Sequence, residues 1–323
     1  MKNKFKKIVS SLVALILIIG LSACSSGQDR MMFGTGGTAG TYYSYGGVLA
    51  QYFKKYADVR VTAVSTGGSK VNIQSMQDGD FQMGLTQSDV MTYAWDGARS
   101  FEKDGKVDDF RTLAALYAET VQLITMDPSI KNVGDLKGKS ISVGEAGSGA
   151  FFNAMDVLES AGLTLDDIKP QYQSFEDSKE SLKDGKIDAA FIVAGAPTTA
   201  ITELATTNGV SLVNIDGDYR DKIIKKHPYY SQLVIPKGTY PKQDQDIETI
   251  AVQATLIVDK NASADEVYKL TAAIFDHVDE IKKENAKAEE LTLENASSIT
   301  TVPYHEGAAK YFKDKGIKVK TSN

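Results

Sequence analysis

The chain has 323 residues, with 36 basic and 42 acidic side chains, a formal net charge of −6 at pH 7, 42% apolar residues and one cysteine. That acidity argues against nucleic acid as a partner, the lone cysteine has no disulfide partner, and the apolar and charged fractions are those of a soluble globular protein. A chain of this length exceeds one ordinary core and is expected to fold as two lobes.

Lys2, Lys4, Lys6 and Lys7 precede an apolar stretch from Ile8 to Gly20, which leads into Leu21-Ser22-Ala23-Cys24. A basic segment, a short apolar core and a small-residue cleavage site make a secretory leader, too short to be a comfortable membrane span. Cys24, directly after Leu-Ser-Ala, resembles the lipobox cysteine that takes a diacylglycerol and becomes the mature N-terminus. Residues 1–23 are therefore expected to be a signal peptide and 24–29 a lipidated tether, which places the protein outside the cytoplasm on the cell membrane. Loss of the leader takes four lysines with it and leaves a net charge of about −10. No later apolar run is long enough to cross a bilayer.

From Met31 onward, strand-like and helix-like stretches alternate, the pattern of an α/β protein with mostly parallel sheets. Met31 to Gly34 reads as a strand, Thr41 to Tyr56 as a helix and Val59 to Val64 as a second strand. The loop Ser65 to Ser69 opens another helix, which stops at Asp78-Gly79. Phe81 to Thr86 is the next strand, followed by the helix carrying Met91 and Trp95. After a strand from Arg111 to Tyr117 the motif restarts: Ile141 to Val143, a glycine-bearing loop, and a helix from Ala150 to Ala161. Gln171 to Ser174, a helix around Ser178 to Lys183, and the apolar strand Ala189 to Ala194 follow. Pro197 is placed to begin a helix. Thr249 to Val258 is long enough to pass between lobes. Helices follow from Ser263, where Ser263 and Glu266 have the spacing of a capping box. The lobes are expected to comprise residues 30–118 with 252–323, and 119–251.

In an open parallel sheet, ligands lie beyond the carboxyl ends of the strands. The loops there carry Gly36, Gly37 and Thr38; Thr66, Gly68 and Ser69; Gln87 and Ser88; Gly147, Ser148 and Gly149; and Gly195 with Pro197. Glycines let a ligand approach the backbone, helix starts offer unpaired amides that favour negative charge, and hydroxyls add further bonds. Tyr42 and Tyr117 supply aromatic walls, Tyr117 being placed to overlook the cleft. His227, His277 and His305 lack the spacing of a metal site and read as surface or loop residues. Asp89 and Glu145 are the acids at strand ends and read as caps or loop hydrogen bonds. Gly34-x-Gly36-x-x-Ala39 meets part of a dinucleotide fingerprint, but the second strand ends in Ser65-Thr66 without the acid that the ribose requires. Neither a metal nor a cofactor is expected.

With these motifs in their order, the chain resembles the TAXI family of extracytoplasmic solute receptors, the binding proteins of one branch of TRAP transporters. The resemblance spans nearly the whole mature chain. It rests on Gly34 to Gly47, Thr66 to Ser69, Gln87-Ser88-Asp89, Asp135 to Lys139 leading to Gly147-Ser148-Gly149, Asp184 to Ala190 with Gly195-Ala196-Pro197, Pro228-Tyr229-Tyr230, and Tyr304 to Phe312. It implies an α/β two-lobe periplasmic-binding-protein fold of the type with two crossovers (type II) and a hinge cleft. It further implies a monomeric receptor that passes a small carboxylate, glutamate or a related organic acid, to a fused membrane permease, without enzymatic turnover. The other TRAP branch holds its carboxylate with an arginine. No arginine stands in these loops, and Lys70 is the nearest cation, so capture falls to amides and hydroxyls. The competing expectations are a lipoprotein receptor of an ABC importer, an exported enzyme, and an adhesin or scaffold. Cys24→Ser is expected to move the protein from the membrane to the soluble fraction, read by fractionation of expressing cells; unchanged membrane retention would refute lipidation.

Overall fold

The structure, a computed structural model, describes residues 30–322; the leader, Cys24 and the rest of the tether lie outside the described residues. The first run of alternating elements is β1 (Met31–Gly34), α1 (Thr41–Tyr52), β2 (Val61–Val64), α2 (Ser69–Gln77), β3 (Met83–Gln87) and α3 (Ser88–Asp96). The chain then enters β4 (Phe110–Thr125), followed by β5 (Ser140–Ser142), α4 (Gly149–Ser160), β6 (Lys169–Gln171), α5 (Phe175–Lys183) and β7 (Ala189–Ala194). Next come α6 (Thr199–Thr207), β8 (Ser211–Val213), α7 (Gly217–Lys226), β9 (Ser231–Ile235) and β10 (Ile247–Asp259). Four α-helices close the described chain: α8 (Ala264–Phe275), α9 (Val278–Glu284), α10 (Leu293–Ala296) and α11 (Glu306–Asp314).

The strands lie in the order β2-β1-β3-β10-β4-β7-β5-β6, with β8 beside β4 and β9 beside β10. Within each half the pairing is parallel: β1 with β2 and β3, and β5 with β6 and β7. The long strands β4 and β10 run antiparallel to each other and to these neighbours. Early residues of β4 pair with β10, and its later residues, Thr120 to Thr125, pair with β7, so one strand belongs to both halves. One hydrophobic core fills the first half, built from residues such as Phe33, Leu49, Ile73, Leu256 and Phe312. The second half has a core on each face of its sheet, one around Val157 and Phe191, the other around Ile192 and Leu204.

Four local expectations are corrected. The first helix is α-helical only to Tyr52; Phe53–Ala57 widens into a π turn that ends at Asp58 in the left-handed region (φ 56). The strand expected to stop at Tyr117 continues as a single 16-residue run, because Thr120 finds β7 as a new partner where its pairing with β10 ends. Pro197 does not begin a helix: it follows a cis peptide bond, and α6 starts at Thr199 behind Thr198. Ser263 precedes α8, but its side chain makes no capping hydrogen bond.

One buried side chain holds the loops of the first half in register. Asn72 is fully buried on α2, and its amide nitrogen donates to the carbonyls of Thr35 and Leu85, both at 2.7 Å. Its Oδ1 lies 2.7 Å from the Thr66 hydroxyl, so three strand ends meet on one amide. Gly34 is required beside it, since a Cβ there would lie 2.4 Å from Asn72 Oδ1. Replacement by alanine removes the side-chain donor of both carbonyls and the acceptor of the Thr66 hydroxyl, with Thr35 keeping its bond from that hydroxyl, and a buried polar group left unsatisfied costs about 1–3 kcal/mol. Asn72→Ala is expected to lower the unfolding free energy by about 2–4 kcal/mol in urea titration; a change within ~0.5 kcal/mol would show that these bonds do not fix the loops.

Candidate functional site

The carboxyl ends of six parallel strands converge on one cavity. Its volume of about 70 Å³ compares with the ~10–15 Å³ that one water needs on the same measure, so it takes a molecule of several non-hydrogen atoms. Gly36, Gly37, Thr41 and Tyr42 line it from the β1–α1 connection, and Gly68 and Ser69 from the start of α2. Gln87 closes one side at the end of β3, and Glu119 forms the back on β4. The second half contributes Glu145, Ser148 and Gly149 before α4, Gln173 to Phe175 before α5, and Val193 and Ala194 at the end of β7.

Four helices therefore begin at this cavity. α1 and α2 start behind Gly40 and Gly68, with no side chain capping their free amides. Ser148 and Ser174 cap α4 and α5 by accepting from the amides of Phe151 and Asp177. Each start leaves N–H groups without carbonyl partners, and the summed peptide dipoles place partial positive charge there. The arrangement suits an anion. Among the described residues, neither lysine nor arginine lines the cavity. Lys70 turns away, 2.7 Å from Asp104.

Several buried polar atoms around the cavity have no hydrogen-bond partner: the hydroxyl of Tyr42, Gln87 Oε1, Glu119 Oε1 and Gln173 Oε1. Burial pushes the Glu119 carboxyl up to about 8, with Lys287 acting in the opposite direction. Burial, and then the nearby Asp177, raises Glu145. Burial and the charge of Glu119 push the Tyr42 phenol well above its ordinary range.

The halves touch on both flanks of the cavity. On one side Thr41 donates to the Gly195 carbonyl at 3.1 Å and the Ala200 amide to the Ala39 carbonyl at 3.3 Å. On the other, Arg99, just after α3, places its guanidinium on Asp156 of α4 through two bonds of 3.1 and 2.8 Å. Asp156 is buried and also accepts from the Tyr230 hydroxyl at 2.9 Å. Asn153 reaches across from α4 to Asp89 at 3.0 Å, and the Tyr93 and Tyr229 hydroxyls meet at 2.7 Å. Burial pushes Asp89 up to about 6.

Of the residues singled out from sequence, Gly36, Gly37, Tyr42, Gly68, Ser69, Gln87, Ser148 and Gly149 line the cavity, whereas Thr38, Thr66, Ser88, Tyr117, Gly147, Gly195 and Pro197 are not among its lining residues. The Thr66 hydroxyl is engaged by Asn72 and the Thr35 carbonyl. Ser88 Oγ accepts from the Gln253 amide, and the Gly195 carbonyl accepts from Thr41 and Thr198. Tyr117 is fully buried, its ring centroid 5.1 Å from that of Tyr45, because β4 carries on past it. Glu145, read as a cap or loop acid, faces the cavity. The histidines are not all surface residues: His305 is buried and caps α11, and His227 is partly buried with Nε2 3.3 Å from Asp156. Asp156, Glu159 and His227 come close enough to hold a metal ion, yet Arg99 and Lys226 already neutralise the two carboxylates. Glu119 and the Gln173 to Phe175 segment were missed. The signal for Glu119 was there, a lone acid inside the apolar run Leu113 to Thr125.

The profile of the NMT1-like family matches residues 33–316. The chain belongs to the NMT1-like family. The likeness to TAXI receptors thus resolves to this wider family, and the match does not single out the TAXI branch. A protein of Bordetella bronchiseptica RB50 superposes with a TM-score of 0.53 at 16% identity, covering 88% of each chain. A putative L-cystine ABC transporter protein of Listeria monocytogenes gives 0.51 at 16% identity, covering 80% of this chain and 94% of that one. The periplasmic aliphatic sulphonate binding protein SsuA of Escherichia coli gives 0.47 at 17% identity over 88% and 90% of the two chains. The fold is the α/β fold of the two-lobe periplasmic solute-binding proteins.

Truncation of Arg99 would take the guanidinium from buried Asp156 and leave it the Tyr230 hydroxyl and the nearby His227; loss of one partner of a fully buried ion pair costs about 3–5 kcal/mol. Because the guanidinium is 27% exposed, Arg99→Ala is expected to reduce the unfolding free energy by about 3 kcal/mol, the lower end of that range. Chemical denaturation checks this; a loss under ~1 kcal/mol would place the pair among ordinary surface bridges.

Proposed function

We propose that this protein is the extracytoplasmic solute-binding component of a membrane transporter, holding a small anionic solute, a carboxylate in the first instance, in the cavity between its halves. The observation that carries the reading is the convergence of four helix starts on a cavity that, among the described residues, neither lysine nor arginine lines. Backbone amides and hydroxyls are then the anion ligands, as on other helix N-termini. We take residues 30–118 with 252–323 as one lobe and 119–251 as the other, with β4 and β10 as the hinge strands. Hydrogen bonds on both flanks fit a closed form, and a solute that touches both halves shifts the population toward it. The role is binding without turnover, by a monomer.

Two kinds of transporter compete for the assignment. An ABC importer is the better supported, since the family match is to the NMT1-like family at large and one protein of like fold is described as a putative ABC transporter protein. A TRAP permease of the TAXI type is supported by the ordered motifs from Gly34 to Phe312. A neighbouring gene for an ATPase favours the first, and one for a fused many-helix permease the second. The leader and Cys24 support export and lipid anchoring in either case. Among the described residues no helix is long and apolar enough to cross a membrane.

The test is a thermal-shift panel of amino acids, keto acids and dicarboxylates on the mature protein. A ligand at 100 times its dissociation constant adds about 2.7 kcal/mol to stability. Gly37 faces open space, with nothing within 4 Å of an added Cβ, so Gly37→Val fills the cavity without straining the fold. That variant is expected to melt at the wild-type temperature and to lose the ligand shift; a full shift in the folded variant would count against the site.

A further inference from the structure

A carboxylate is out of place in a cavity built for an anion, and Glu119 is such a carboxylate. It is 2% exposed, on the strand at the back of the cavity, with Oε1 unpartnered. Lys287, the cation beside it, directs its ammonium to Glu290, and Glu290 in turn accepts from the Ala118 amide. Gln87 Oε1 and Gln173 Oε1 are also buried, unpartnered and part of the cavity wall. Three acceptors from β3, β4 and the β6–α5 connection thus face the same space as the amide donors of the helix starts. A purely anionic solute would satisfy the donors and leave these acceptors bare, each at the cost of an unmade hydrogen bond. It would also bring negative charge against the Glu119 carboxyl whenever that acid is ionised.

We infer that the solute carries a cationic nitrogen as well as its anionic group, and that Glu119 is the specificity-determining residue that receives this nitrogen, so the cavity selects ammonium-bearing zwitterions over the same acids without nitrogen. The inference rests on the solute-binding reading and narrows it. The groups that face Glu119 are Tyr117 on its own strand, Lys287 and Glu290 from the segment Ala286–Glu290, Asp89 on α3 and Tyr42 on α1. Of these only Lys287 is a cation, and it is shared with Glu290. Burial holds the Glu119 carboxyl up at about 8, so at neutral pH an incoming ammonium displaces a proton from it. Binding of a zwitterion then releases a proton, and its affinity rises by up to about tenfold per pH unit from pH 6.5 towards 8. A nitrogen-free acid would need Glu119 protonated and would show the opposite slope, weakening above pH 8.

The experiment is isothermal titration calorimetry of the mature protein with matched pairs: L-glutamate with glutarate, L-alanine with propionate, and taurine with ethanesulfonate. Thermal shifts with all twenty amino acids and their nitrogen-free counterparts choose any further pair. The nitrogen-bearing member is expected to bind and its partner to bind at least about 30-fold more weakly, with proton release measured by comparing buffers of different ionisation enthalpy. Glu119→Gln keeps the shape and removes a buried charge, so the variant folds; it is expected to lose most of the discrimination and the pH slope. Equal binding of a nitrogen-free partner, or proton uptake on binding, overturns the inference while leaving the solute-binding reading intact. If no small acid or zwitterion binds, the solute-binding reading itself fails and the inference falls with it. The matched pairs on wild-type protein decide the matter even if Glu119→Gln proves unstable.

Discussion

A single extended strand that belongs to both halves of the molecule governs the rest of the structure. β4 is paired on both edges at one point: Glu119 stands opposite Val252 on β10, and Thr120 faces both Ala251 on β10 and Ala194 on β7. The parallel strands of each half are hung on this crossing, so their carboxyl ends, and the helices that follow them, are brought to a shared space. In the proposed receptor, rotation of one half against the other would be absorbed at this crossing. That is also where polar side chains concentrate, with Glu119, Thr120 and Gln122 all buried.

Such a crossing has an energetic consequence. A sheet centre of Val, Ile and Leu would weld the halves, whereas Thr120 Oγ1, Glu119 Oε1 and Gln253 Oε1 are buried there without partners. Of these three residues only Glu119 lines the cavity, so in the proposed receptor a bound solute would meet its Oε1 and relieve that one unmade bond in the closed form. The flanking contacts act in the opposite sense. Arg99 on Asp156, Asn153 on Asp89 and Thr41 on Gly195 join the halves in this conformation. In the proposed receptor, the balance between bare groups inside and paired groups outside would set how far a bound solute changes the population of closed molecules.

The architecture was legible because both signals it depends on are local. Alternating apolar patterns mark strands, and small residues with Ser or Thr mark the loops behind them, so Gly36, Gly68 and Ser148 are found without any knowledge of pairing. Residues whose role is set by a distant partner were not legible. Tyr117 reads as a strand end only if β4 stops there, and whether it stops depends on β7, more than 60 residues later. Gln173 to Phe175 lack the glycines that flag the other loops. Thr66 has the right composition for a ligand contact, yet Asn72 engages its hydroxyl. Glu119 is a lone acid in an apolar run, and nothing nearby in the chain shows that it faces a cavity instead of a core partner.

Among the described residues neither lysine nor arginine lines the cavity, which bears on how such a site would discriminate. A guanidinium attracts any carboxylate over several ångströms and tolerates poor geometry in the rest of the ligand. Amides at helix starts act over a shorter range and in fixed directions, so an anion gains their full benefit only when its oxygens reach them. With Glu119 behind them and Glu145 beside them, the same amides face competing negative charge whenever those acids are ionised. Net attraction then requires a solute whose charge distribution matches the wall group by group, and a mismatch of even one group leaves a buried atom bare on protein or ligand. In the proposed receptor, selectivity would come from the cost of what is left unpaired more than from the strength of any one bond.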